Sequence, residues 1–163
     1  RCRLIRAGAP TREQALEWLK SQGVQDAERK LTEAGGMPLA VFDEDARFRL
    51  ADETRERFLA YLKLGHAAPP AQALSVADKD VTLSAAALFL SRWGWDLASA
   101  KVGCEPQYFP EFAEEIKTIA QAANPTGLYT WINSVRDIRR VSEHPLNAKT
   151  MIEALLISYA RNI

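Results

Sequence analysis

Apolar residues in this chain recur three and four positions apart along nearly its whole length, and past the opening run nothing alternates with period two for long enough to make a strand. That periodicity predicts an all-α fold. Thr11 followed by Gln14 has the spacing at which a hydroxyl and an amide satisfy free helix-start N–H groups reciprocally, so a helix should begin there. Ala15, Leu16, Trp18 and Leu19 keep its helical spacing, and Gly23 ends it as the residue that tolerates a left-handed cap. Asp26 opens a second short helix with Ala27, Leu31 and Ala34, stopped by Gly35-Gly36, and a third runs from Pro38 to Phe42. These make a small three-helix unit.

The acidic stretch Asp43-Glu44-Asp45 interrupts the apolar pattern and places a domain boundary near residues 43 to 50. Beyond it the spacing predicts a helical bundle. Its helices are expected over about 46 to 65 (with Phe48, Leu50, Phe58, Leu59, Leu62 and Leu64), 70 to 78, 81 to 101, 110 to 123, 128 to 141 and 147 to 161. The breaks are Gly65-His66, Pro69-Pro70, Gly103-Cys104-Glu105-Pro106, a turn at Asn124-Pro125-Thr126-Gly127, and Glu143-His144-Pro145. No internal repeat of solenoid length is present.

Hydrophobic content of 47% with 26% charged residues lies in the globular range, and 163 residues suffice for one domain or for a small one beside a larger one. The 21 basic and 21 acidic residues cancel, and they cancel locally: nine against eight up to residue 50, five against six up to 100, seven against seven after it. A dedicated nucleic-acid binder would show a local basic excess. Cys2 and Cys104 stand far apart, which suits two reduced thiols and a cytoplasmic setting better than a disulfide framework. The richest apolar stretch, Val81 to Lys101, carries Arg92, Asp96 and several serines, so it reads as a buried helix rather than a membrane span. The opening has no signal-peptide core, and its Arg-Cys-Arg-Leu-Ile run reads as the tail of a strand from a preceding domain.

Local signatures of chemistry are few. No phosphate-loop pattern occurs, and Gly35-Gly36 reads as a helix cap and tight turn. Two isolated cysteines and two isolated histidines, His66 and His144, do not supply the ligand cluster of a zinc site. There is no nucleophile elbow; His144 reads as a packed or capping residue at a helix junction, and Glu114-Glu115 point apart on their helix as solvated surface. Arg136, Arg139 and Arg140 fall at i, i+3 and i+4 on one helix, a stripe suited to phosphates, to acidic residues of a partner subunit, or to plain solvent. Trp93 and Trp95 flank Gly94, and Trp18 and Trp131 lie on apolar helix faces, all four reading as core or interface anchors. On these grounds alone the chain is an assembly module.

Several segments in order resemble one family. Arg1-Cys2-Arg3-Leu4, Ala15-Leu16-Glu17-Trp18-Leu19, and Ala34-Gly35-Gly36-Met37-Pro38-Leu39-Ala40 are similar to delta-prime subunits of bacterial DNA polymerase III clamp loaders. So are Gln107-Tyr108-Phe109-Pro110, Val135 to Arg140, His144 to Asn147, and Glu153 to Leu156 towards the close. The resemblance implies residues 1 to 8 as the tail of an AAA+ domain, 9 to 46 as a small helical lid domain, and 47 to 163 as the helical collar through which such subunits oligomerise. It implies partners, the tau/gamma and delta subunits, in a ring that loads the sliding clamp onto primed DNA, with DNA met only indirectly and no membrane.

The family's Ser-Arg-Cys motif places its arginine on the ATP of a neighbouring subunit, and Arg1-Cys2 match its last two positions. Arg1 is thereby the candidate arginine finger, acting in trans. Gly36-Met37-Pro38-Leu39 lacks the arginine that ATP-binding relatives present after this glycine. The resemblance therefore implies no nucleotide, no other cofactor and no catalysis by this chain, within a parent assembly that is a DNA-directed DNA polymerase holoenzyme. Two further readings stand beside it: a helical adaptor unrelated to replication, and a cofactor-free hydrolase built on His144.

Overall fold

The computed structural model describes residues 8–43, 49–77, 80–144 and 147–163. Among them every regular element is helical. The chain divides into two compact units, Arg1–Asp43 and Glu44–Ile163.

In the first unit, α1 (Arg12–Ser21) begins with the capping box that Thr11 and Gln14 foretell: the Gln14 N–H donates to Thr11 Oγ1 at 3.3 Å and the Thr11 N–H to Gln14 Oε1 at 3.0 Å. Gly23 (φ 73°) turns the chain out of it. Next comes α2 (Ala27–Glu33), entered through Asp26 at φ 53° and left through Gly35 and Gly36 at φ 65° and 79°, the Gly36 N–H donating back to the Leu31 carbonyl at 2.8 Å. A third helix, α3 (Ala40–Asp43), starts two residues later than expected. Ala15, Leu19, Ala27, Leu31, Ala34 and Val41 form its core. Arg12 ties α1 to α2 from outside, reaching Glu28 Oε1 at 3.4 Å and Thr32 Oγ1 at 3.1 Å.

The second unit holds α4 (Asp52–Leu62), a 3-10 turn (Gly65–Ala67), α5 (Pro70–Val76), α6 (Leu83–Lys101), a second 3-10 turn (Pro110–Phe112), α7 (Ala113–Ala122), α8 (Pro125–Val141) and α9 (Ala148–Asn162). Three expected boundaries move. Residues 49 to 51 are not helical, so the helix expected from 46 starts at Asp52; Ala51 is extended (ψ 148°), and Asp52 and Glu53 occupy the first turn, where the helix dipole favours anions. Asn124 and Pro125 are a helix start rather than a turn: Asn124 Oδ1 accepts from the Thr126 and Gly127 N–H groups, and Pro125 occupies the first helical position, where no N–H is needed. The 110 to 123 segment opens as a 3-10 turn before α7.

Around α6 pack α7, α8 and α9, and the largest buried rings are Trp93 on α6, Trp131 on α8 and Tyr159 on α9. Phe58, Phe89, Phe109 and Trp93 form a chain of edge contacts at centroid distances of 5.7, 5.2 and 5.4 Å, and Trp131 meets Tyr159 at 4.9 Å. Each such pair adds about 0.5–1.5 kcal/mol beyond the area it buries. Lys101, at the end of α6, donates to the Gln121 and Ala123 carbonyls at 3.1 and 2.8 Å, closing the C-terminus of α7.

Candidate functional site

Arg1 lies outside the described residues. The three arginines of the stripe all stand on α8 with exposed side chains. Arg136 Nε lies 3.7 Å and Arg140 Nη1 3.8 Å from the same carboxylate oxygen, Oδ1 of Asp137. No acceptor among the described residues reaches Arg139. Asp137 is the one carboxylate on α8 beside three guanidinium groups and pairs with two of them, so this helix face is cationic although the chain as a whole is neutral.

The four tryptophans separate. Trp93 and Trp131 are fully buried, with their indole N–H groups donating to the Tyr159 hydroxyl and the Leu155 carbonyl. Trp95 is 58% exposed, and Trp18 stands half-exposed with its ring edge-on to Phe42 at 5.6 Å. Sequence spacing put Trp18 on an apolar face, yet the small core of its unit closes over Leu19 and Leu31 and leaves the larger ring at the edge.

His144 is exposed in the turn after α8, where its backbone N–H donates to the Val141 carbonyl at 3.0 Å. Of the packed and capping roles expected for it, the packed one does not hold, and no described hydroxyl or carboxylate is bonded to its ring. Among the described residues no group of three potential metal ligands converges, and no helix is long and apolar enough to cross a membrane.

A cleft of about 520 Å³ opens where α4 and α6 begin, lined by Arg49 and Arg57 together with Asp52, Glu53 and Asp80. Two cations against three carboxylates give it no preference for an anion. Its two hydroxyls are already engaged: Thr54 Oγ1 accepts from Arg57 at 3.2 Å, and Thr82 Oγ1 accepts the Ala85 N–H at 3.2 Å as the cap of α6.

Asp96, which the sequence offered only as an argument against a membrane span, is a fully buried carboxylate on α6. It accepts three successive backbone N–H groups, from Gln107 (2.8 Å), Tyr108 (2.9 Å) and Phe109 (2.8 Å). Burial pushes its carboxyl above the ordinary value against the downward pull of those donors, and Glu111 adds to the rise. From within the core it holds the loop of residues 107–109 through those three bonds. No signal within the sequence reveals it, because its partners lie eleven to thirteen residues away across a break.

No protein-family model matches the chain, and neither a curated protein nor a solved structure matches it.

Proposed function

We propose that this chain is the lid and collar portion of a delta-prime-like clamp-loader subunit, whose work is to join a ring with tau/gamma and delta subunits rather than to catalyse. The observation that carries the reading is the division at Asp43 and Glu44 between a unit of three short helices and a larger helical bundle, which falls beside the lid-to-collar boundary the resemblance implies. The ordered motifs support it, and so does the cationic outer face of α8, where fixed charges suit pairing across a subunit boundary. On this reading DNA is met only through the assembly, the setting is the bacterial cytoplasm, and the chain takes no nucleotide.

Light scattering on a sizing column, with the chain mixed with purified tau/gamma and delta subunits, tests this. A defined complex without ATP is expected. If the chain elutes alone while a full-length delta-prime subunit assembles under the same conditions, the collar reading of the second unit fails. Micromolar ATP binding by calorimetry would overturn the nucleotide-free part. The adaptor reading takes its place if no clamp-loader component binds.

A further inference from the structure

Along α6 the chain passes from core to solvent in three residues. Trp93 is fully buried, a Cβ built on Gly94 would lie 3.1 Å from both Trp131 and Ile132 on α8, and Trp95 is exposed. Each step turns the helix by about 100°. On α8 the same order holds, with Trp131 in the core and half-buried Ile132 against Gly94. The two helices run antiparallel: Ser84 and Ser142 meet through their hydroxyls at 3.1 Å at one end, and Gly94 meets Trp131 and Ile132 midway. In an antiparallel pair the two rotations have opposite hands when viewed from one end. Positions about 140–200° from each buried row therefore emerge on the same side of the pair.

Those positions include Trp95 and Ala98 from α6 with its C-cap Val102, and Tyr129, Arg136 and Arg140 from α8. Val102 is 69% and Tyr129 47% exposed. Resting on the assembly reading above, we propose that this α6/α8 face docks a protein partner whose own surface is apolar at its centre and carboxylate-rich at its edge. Tryptophan, tyrosine and arginine together are the residues that carry most binding energy at protein interfaces. Trp95, Val102 and Tyr129 supply the apolar centre, and the Gly94 contact with Ile132 joins the two helices beside it. The flanking arginines outnumber their single local carboxylate, Asp137, so the complement they fit is acidic. A nucleic acid fits less well, since Asp137 stands among the guanidinium groups and the exposed surface beside them is apolar.

The test is a nitrogen-15 NMR titration of the whole chain with a helix-stabilised peptide bearing leucines on one stripe and glutamates on both flanks. The Trp95 indole and the Arg136 and Arg140 Nε–H signals should shift, while the buried Trp93 and Trp131 indoles stay in place. Trp95→Ser and Arg140→Glu should each weaken the peptide at least about tenfold, and Lys149→Glu on α9 should leave it unchanged. All three sites are exposed, and the amide spectrum of each variant checks its fold. The proposal is overturned by no saturable shift, by shifts that map elsewhere, by equal binding of a peptide with lysines in place of glutamates, or by tighter binding of an oligonucleotide at Trp95. The peptide contains no clamp-loader component, so this result and the light-scattering result fail independently.

Discussion

The Tyr159 hydroxyl on α9 accepts the indole N–H of Trp93 on α6 at 3.3 Å and donates in turn to the Leu62 carbonyl at the end of α4, at 2.7 Å. One phenol thereby satisfies buried polar groups from two other helices. Tyr159→Phe keeps the ring against Trp131 but strands the Trp93 donor and one lone pair of the Leu62 carbonyl in a dry core. A buried donor left unsatisfied costs about 1–3 kcal/mol. Urea denaturation should show a loss in that range with an unchanged slope; a loss below about 0.5 kcal/mol would mean that water reaches the site.

Burial also raises the hydroxyl pKa of Tyr159 far above the ordinary tyrosine value, and that of Tyr61 in the same direction. Above about pH 10 the unfolded chain releases these protons while the folded chain keeps them, so the unfolded state binds fewer protons and stability falls as pH rises. The loss from Tyr159 begins at the unfolded value and continues up to the raised folded one. Thermal melts between neutral and strongly alkaline pH should show this decline. Tyr159→Phe should flatten it by about one proton's worth of slope, roughly 1.4 kcal/mol per pH unit at most.

What the sequence revealed and what it hid divide by distance along the chain. The Thr11–Gln14 capping box and the Gly23, Gly35 and Gly36 exits involve residues three to five apart, and each stands where spacing placed it. Asn124-Pro125 misled because the same residues suit a turn or a helix start, and the two differ only in whether the following residues find a face to bury. Trp93 and Trp95 are indistinguishable by composition, yet one is core and the other surface, since which side of α6 is covered depends on α8 and α9. The stripe of three arginines was legible from its spacing, but its relation to Trp95 needed the antiparallel pairing of two helices.

Asp96 is the clearest long-range case. Its carboxylate holds the Gln107, Tyr108 and Phe109 amides, and Phe109 then packs edge-on to Phe89 and Trp93. Asp96→Ala leaves three donors without their acceptor, a cost of about 3 kcal/mol after the relief of burying a charge is set against it. Asp96→Asn keeps one acceptor oxygen and should lose less. Hydrogen exchange at the three amides should rise in Asp96→Ala before global unfolding does. If those amides keep wild-type protection, the loop is held by Phe109 alone.

Gly127 sets two rules against each other. It lies in the first turn of α8, where replacing glycine by alanine ordinarily favours a helix by about 1 kcal/mol. A methyl there would fall onto the carbonyl oxygen of Asn162 near the end of α9, and the Asn162 Cα lies only 3.3 Å from that Cβ position. The obstacle is backbone, so no rotamer change relieves it, and either α9 shifts or its last turn frays. The clash should win, and Gly127→Ala should destabilise the chain by about 1–3 kcal/mol. Gly94→Ala meets softer neighbours, because the Ile132 side chain can turn aside although Trp131 cannot. Its cost should be the smaller of the two. Parallel thermal melts decide the matter: a Gly127→Ala protein more stable than wild type would show that the end of α9 yields at no cost and that helix propensity governs this position.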